Sequence, residues 1–290
     1  MISEFIRLVR PSQWIKNTVV LAGLIFAGEA LSGSKSLLAL EAFVAFCLLS
    51  SAVYIMNDIV DRERDRLHPL KKNRPLAAGT ISIGSAFSLG VILCVGGIIL
   101  SLLIGPEFLV VALAYFVLNI AYTLSLKNIV IIDVMAIATG FVLRAVAGAV
   151  AIEVIISEWL LISTFVLALF LGLGKRRHEL ISLEKEASSH RRILARYSPY
   201  LLDQLIGVVT ASTVITYLFY TLSPEVHAKL GTAYLFVTIP FVIYGIFRYL
   251  YLVHKEDKGG SPTHVLLTDL PLLIDVLLWL ASIVLILYIL

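Results

Sequence analysis

Long apolar runs separated by short polar breaks dominate the chain. Nine such runs can be drawn, near 17–31, 39–56, 81–104, 107–125, 129–152, 158–174, 201–222, 231–253 and 271–290. A run of about 20 apolar residues crosses a bilayer as a helix, which satisfies its own backbone hydrogen bonds in lipid. The short alternating segments of a membrane barrel do not occur. The pattern therefore predicts an all-α polytopic membrane protein with nine transmembrane helices, built as one domain over 1–290. Glycine and proline punctuate it at Gly33, Pro69 and Gly79, Gly105-Pro106, Pro199, Pro224, Gly259-Gly260, Pro262 and Pro271.

Composition agrees. Only 15% of residues are charged, against about 25% in a soluble domain, and the mean hydropathy is +0.96. Cys47 and Cys94 both lie inside apolar runs and form neither a disulfide framework nor a metal spacing, so they read as packing residues. Arg7, Arg10 and Lys16 precede the first run without a small-residue cleavage site, which predicts a retained first helix rather than a signal peptide.

The net charge of +3 matters less than where the charges fall. Alternating the nine runs across a membrane puts 20 of the 23 Lys and Arg on one side, leaving Lys35 and Lys229 opposite and Arg144 within the fifth run. Positive residues stay inside, so the expectation is a plasma-membrane protein with a cytoplasmic N-terminus and its large polar loops in the cytosol. Short outer loops disfavour a transporter, which needs polar access from both sides. No nucleic-acid partner is expected, and no motif specifies an oligomer.

Charge is concentrated in 54–79, YIMNDIVDRERDRLHPLKKNRPLAAG, which holds four of the twenty acids and six of the twenty-three bases. Asp58, Asp61 and Asp65 follow an i, i+3, i+7 spacing, which on a continuous helix falls on one face. Asn57 adds a neutral oxygen. Clustered carboxylates repel unless they share a cation, and an all-oxygen set suits Mg²⁺ bound through carboxylates and substrate phosphates. The expected metal ligands are Asn57, Asp58, Asp61 and Asp65. His68-Pro69 reads as the end of that helix, and Thr80 and Ser82 as possible N-caps of the next. Arg74 reads as a phosphate ligand, with Lys71 and Lys72 weaker choices.

Other candidates are scattered. Asp133 and Arg144 are eleven residues apart, close to three turns, and share a face of the fifth run. They fit a substrate contact or a tie between helices equally well. Lys16 and Asn17 open the first run, where a helix N-terminus would attract an anion, although Trp14 and Lys16 also fit a plain interface anchor. Lys127, at the inner end of the fourth run, fits a phosphate contact or ordinary topology. The stretch 255–273 contains a Gly-Gly turn and Asp269 and reads as a connection rather than a lid.

The NDxxDxxxD pattern of Asn57, Asp58, Asp61 and Asp65, placed after the second run, resembles the first signature of the UbiA-type intramembrane prenyltransferases. The nine-run layout extends the resemblance over the whole chain. It implies active-site loops after helices two and six, with the acids holding Mg²⁺ against a diphosphate. Tyr122 and Lys127 resemble the family's YxxxxK loop. Most members carry DxxxD in the sixth loop, whereas this chain reads GLGKRRHELISLEKE from Gly172 to Glu186, with no aspartate. That GKRxxE arrangement, with RPSQWIKN at 10–17 and DVMAIATGFVLRAVAG at 133–148, is similar to the decaprenyl-phosphate phosphoribosyltransferase branch.

The resemblance implies phosphoribosyl transfer from phosphoribosyl diphosphate to a polyprenyl phosphate held at the membrane lipid surface. It makes Asp58, Asp61, Lys175 and Arg176 catalytic, and Lys16, Asn17, Arg74, Tyr122, Lys127, Asp133, Arg144 and Glu179 substrate-binding. Arg191, Arg192 and Arg196 read as topological anchors. The rivals are a prenyl diphosphate:aromatic acceptor transferase, disfavoured by the missing second aspartate motif, and a lipid or small-molecule transporter, disfavoured by the absence of an inverted repeat.

Overall fold

The computed structural model describes residues 2–67, 71–184, 194–256 and 259–289. The proposed helix end at His68-Pro69 and the anchors Arg191 and Arg192 lie outside the described residues. In chain order the α-helices are α1 (Ile2–Val9), α2 (Ala22–Phe26), α3 (Gly33–Val60), α4 (Arg62–Leu67), α5 (Pro75–Ala78), α6 (Ile83–Ile104), α7 (Pro106–Leu124), α8 (Ile132–Ala151), α9 (Glu158–Glu184), α10 (Pro199–Leu222), α11 (Pro224–Leu230), α12 (Ile239–Lys255), α13 (Pro262–Thr268) and α14 (Leu270–Tyr288).

Among the described residues, eight helical segments are long and apolar enough to cross a membrane: α3, α6, α7, α8, α9, α10, α12 with the 3-10 turn before it, and α14. The chain is a multi-pass all-α membrane protein. The expected first helix over 17–31 is corrected: the stretch is a 3-10 segment, Pro11–Leu21, followed by the short α2. Its β-branched Thr18-Val19-Val20 lowers helix propensity, and close packing against α8 holds it. A Cβ built on Gly148 would lie 1.7 Å from the Val20 carbonyl oxygen, so only glycine allows this approach. The segment still runs the length of the bundle. Arg10 at one end bonds Asp58, and at the other the Tyr288 hydroxyl donates to Ile25 O (3.0 Å) and accepts from Ala30 N (3.1 Å). Rises of about 2.0 Å per 3-10 residue and 1.5 Å per α residue carry 11–26 roughly 30 Å, the thickness of a bilayer core.

The two largest of four apolar clusters fill most of the bundle. One joins the 3-10 segment, α3, α7 and α8 through Val20, Phe46, Phe108 and Tyr115. The other joins α9, α10, α12 and α13 through Phe170, Leu202, Tyr249 and Val265, and reaches Val134 at the start of α8. Large apolar side chains such as Phe87, Leu103, Val110, Val208 and Phe247 point outward, as lipid-facing positions must. Ser82 caps α6 through the Ser85 amide (3.1 Å), whereas Thr80 bonds Glu4 instead. Asp269 caps α14 through the Leu272 amide (3.0 Å) and accepts from Nε and Nη2 of Arg248 (3.0 and 2.8 Å), which ties the start of α14 to α12.

Candidate active site

The polar ends of α3, α7, α8 and α9 meet at one end of the bundle. The acidic stretch is not one helix. α3 closes at Val60 and α4 opens at Arg62, with Asp61 at the break (φ −92°, ψ 5°). The expected single acidic face is therefore corrected. Asp58 and Asp65 turn to one side, and both accept from the same Arg74 Nη1, at 3.0 and 2.5 Å. Asp61 turns away to Lys127 Nζ, at 2.8 and 2.9 Å. Asp58 also accepts from Arg10 at 2.5 Å, and Asn57 Oδ1 accepts from the Thr123 hydroxyl at 2.6 Å.

No group of three or more His, Cys, Asp or Glu among the described residues is placed to share one metal ion. The expected set of Asn57, Asp58, Asp61 and Asp65 is gathered at this end of α3 and α4 but divided between two basic partners, Asp58 and Asp65 on Arg74 and Asp61 on Lys127. Asp58 and Asp65, both buried and facing each other across one guanidinium nitrogen, are a narrower donor pair. That pair fits Mg²⁺, which takes one or two protein carboxylates and fills its remaining positions with water and phosphate oxygens.

The wall formed by α7, α8 and α9 is built around Arg176, which is 2% exposed. Its Nε donates to Asp133 Oδ2 (2.7 Å), Nη1 to Glu179 (2.6 Å) and Nη2 to the Tyr122 hydroxyl (3.3 Å). Asp133 is fully buried, and its other oxygen accepts from the Tyr197 hydroxyl at 2.8 Å. The same hydroxyl accepts from the amide of Ile131 (2.7 Å), whose φ of 70° is strained for a β-branched residue. Tyr197 thus pins the turn into α8 to the loop after α9. Burial pushes its hydroxyl up to about 12, against the pull of the Ile131 amide. Lys175 lies on the more exposed side of α9, 3.8 Å from Glu179.

Deeper in the bundle is a separate polar layer. Asn17 Nδ2 donates to Ser50 Oγ (3.0 Å) and its oxygen accepts from Arg144 Nε (2.8 Å). Arg144 also donates to Gly140 O (2.9 Å) and the Tyr115 hydroxyl (2.8 Å). Lys16 and Asn17 sit inside the 3-10 segment, so the expectation of a helix N-terminus there is corrected. Trp14 Nε1 donates to Ser51 Oγ (3.0 Å), which ties the 3-10 segment to α3. Asp133 and Arg144 lie on one helix but contact different partners.

The structure therefore gathers Asn57, Asp58, Asp61, Asp65, Arg74 and Lys127 into one cluster. It joins Tyr122, Asp133, Arg176 and Glu179 into a second, and Asn17 and Arg144 into a third. Arg10, Thr123, Tyr197 and Tyr115 were not singled out by their spacing. Arg10 lies within the quoted RPSQWIKN stretch, whereas Tyr197 carries no local signal beyond its place before Ser198-Pro199.

Residues 18–268 match the UbiA prenyltransferase family. The decaprenyl-phosphate phosphoribosyltransferase of Corynebacterium glutamicum is 35% identical over 98% of this chain and 86% of its own length. The enzyme of the same name from Mycolicibacterium smegmatis is 33% identical over 98% of this chain and 92% of its own. Among solved structures, a UbiA homologue from Archaeoglobus fulgidus bound to GPP and Mg²⁺ superposes with a TM-score of 0.73, covering 99% of this chain and all of that one at 19% identity, a likeness of fold.

Proposed function

We propose, from the premise that this chain belongs to the UbiA prenyltransferase family, that it transfers 5-phosphoribosyl from phosphoribosyl diphosphate to a polyprenyl phosphate of decaprenyl type and releases diphosphate. The observation that carries this reading is similarity at 33–35% identity, over nearly the full length, to enzymes named for that activity. The site geometry supports it, because α9 presents Lys175, with Arg176 buried behind it, where a second aspartate motif would otherwise stand.

Asp58 and Asp65 would hold Mg²⁺, with Asn57 and Asp61 beside them; when bound, it would neutralise the diphosphate leaving group. Arg10, Arg74 and Lys127 now hold the charge of these acids. With a cation on the carboxylates, the guanidinium groups of Arg10 and Arg74 and the ammonium of Lys127 would be released to bind diphosphate oxygens. An oxygen of the polyprenyl phosphate attacks C1 of the ribose. The C1–O bond to the diphosphate breaks, and its electron pair leaves on the diphosphate. No proton needs to be removed, because the attacking phosphate is already ionised at neutral pH. A single in-line displacement inverts C1.

Arg176 is committed to Asp133 and Glu179, which makes it a positioning residue that sets Lys175 and Tyr122 toward the acceptor phosphate. By the distribution of Lys and Arg, this end of the bundle faces the cytoplasm. The test is a direct contest in reconstituted vesicles: labelled phosphoribosyl diphosphate with polyprenyl phosphate, against prenyl diphosphate with an aromatic acid. Label passing to lipid in the first arm alone is expected. Product in the second arm alone would assign the conventional activity instead.

A further inference from the structure

Arg144 is 6% exposed at membrane depth and, among the described residues, forms no ion pair with a carboxylate. Its partners are neutral: Asn17, the Gly140 carbonyl and Tyr115. The rings of Tyr115 and Phe141, 4.7 and 5.1 Å from the guanidinium carbon, offset part of its desolvation. These three bonds use three of the five guanidinium N–H groups, and no further acceptor is found among the described residues. Lys16, only partly exposed, has no hydrogen bond or ion pair to any described residue and lies within electrostatic reach of Arg144 and Arg10. Two neighbouring cations without an acid, inside a membrane bundle, are costly unless an anion joins them.

The position of this pair limits the anion. Asn17 bonds Ser50, eight residues before Asp58 on α3, which places the layer roughly 12 Å deeper than the acid pair. Lys16 lies between Arg10, which bonds Asp58, and Asn17, which bonds Arg144, so it bridges that interval. A phosphate monoester is the chemistry two cations and amide or hydroxyl donors recognise. Both substrates carry one. The acceptor phosphate must approach C1 to within about 3–3.5 Å, opposite the diphosphate, so it cannot sit a ring length away. The 5-phosphate of the donor stands on the far side of the pentose from the diphosphate, as this pocket stands from Asp58.

We infer that Lys16 and Arg144 form the binding pocket for the 5-phosphate of the donor and select phosphoribosyl diphosphate over diphosphates that lack this group. The inference rests on the proposed phosphoribosyl transfer.

It is tested with full-length protein in vesicles, using phosphoribosyl diphosphate and its 5-dephospho analogue, ribosyl 1-diphosphate, as alternative donors. Lys16 has no bonds to lose, so Lys16→Met keeps the fold. It should raise KM for phosphoribosyl diphosphate about tenfold or more, as expected for one charge-assisted contact. KM for polyprenyl phosphate should stay within about twofold, and the preference for the phosphorylated donor should shrink by about the same tenfold factor. Arg144→Gln should do likewise, with partial rescue in Arg144→Lys. An unchanged donor preference in Lys16→Met, an equal loss on both donors, or a rise in acceptor KM instead would overturn the assignment while leaving phosphoribosyl transfer standing. Absence of transfer from phosphoribosyl diphosphate by the wild-type protein would overturn the proposed function, and the pocket with it.

Discussion

Arg144 and Arg176 are both buried guanidinium groups on neighbouring helices, yet they are treated in opposite ways. Arg176 lies between Asp133 and Glu179, its charge balanced and its geometry fixed further by Tyr122. Among the described residues, Arg144 meets neutral oxygens and aromatic rings and no carboxylate. The first arrangement is complete within the protein. The second keeps a positive charge that a ligand can use. Burial and residue type alone would not separate them; the partners do.

Variants can break this contrast. The largest effect is expected from Arg176→Met, which strands the fully buried Asp133 carboxylate and should cost about 3–5 kcal/mol of stability. Denaturant unfolding in detergent would measure it, and the double variant Arg176→Met with Asp133→Leu should recover part of the loss. Arg144→Met should cost less, about 1–3 kcal/mol, because it removes an unbalanced charge while leaving Asn17 and Tyr115 short of one partner each. An equal or greater loss at Arg144 would erase the distinction.

Tyr197→Phe sharpens the contrast from the paired side. It deletes the hydroxyl that joins Ile131 and Asp133 and should cost about 1–2 kcal/mol. It should also lower kcat with little change in donor KM, since Tyr197 reaches Arg176 through Asp133, in a cluster apart from the proposed donor ligands. A donor KM that rises with unaltered kcat would contradict that role. The smallest effect is at high pH. The folded-state value of Tyr197 is raised to about 12 from an ordinary 10.0, so its contribution is complete below pH 10 and disappears as pH rises toward 12. Wild-type stability should fall in that window more steeply than that of Tyr197→Phe, as followed by thermal unfolding across pH.

The fold was legible in the sequence to the extent that apolar runs report helices. The eight long helical segments follow runs drawn from the pattern alone. The first run was misread because hydrophobicity measures burial, not helix type: Thr18-Val19-Val20 and the contact at Gly148 make Pro11–Leu21 a 3-10 segment. The concentration of charge in 54–79 was plain in the sequence, but i, i+3, i+7 spacing assumed a continuous helix, and the break at Asp61 redirected one of the three acids. Asp133 and Arg144 were correctly placed on one helix, but a helix face does not name the helix packed against it, so their separate partners were hidden. Tyr197 was not legible because it lies 64 residues from Asp133 and meets it only through the tertiary fold.

The most direct measurement is transfer of labelled phosphoribosyl to polyprenyl phosphate in vesicles, titrated with Mg²⁺, for the wild-type protein and Asp58→Ala. The wild type should transfer only with divalent metal and yield the inverted anomer. Asp58→Ala should lose about 100-fold or more of that rate, the scale of a lost transition-state charge contact. Transfer that persists without metal and is equal in both proteins would contradict the acid pair as the holder of the donor diphosphate.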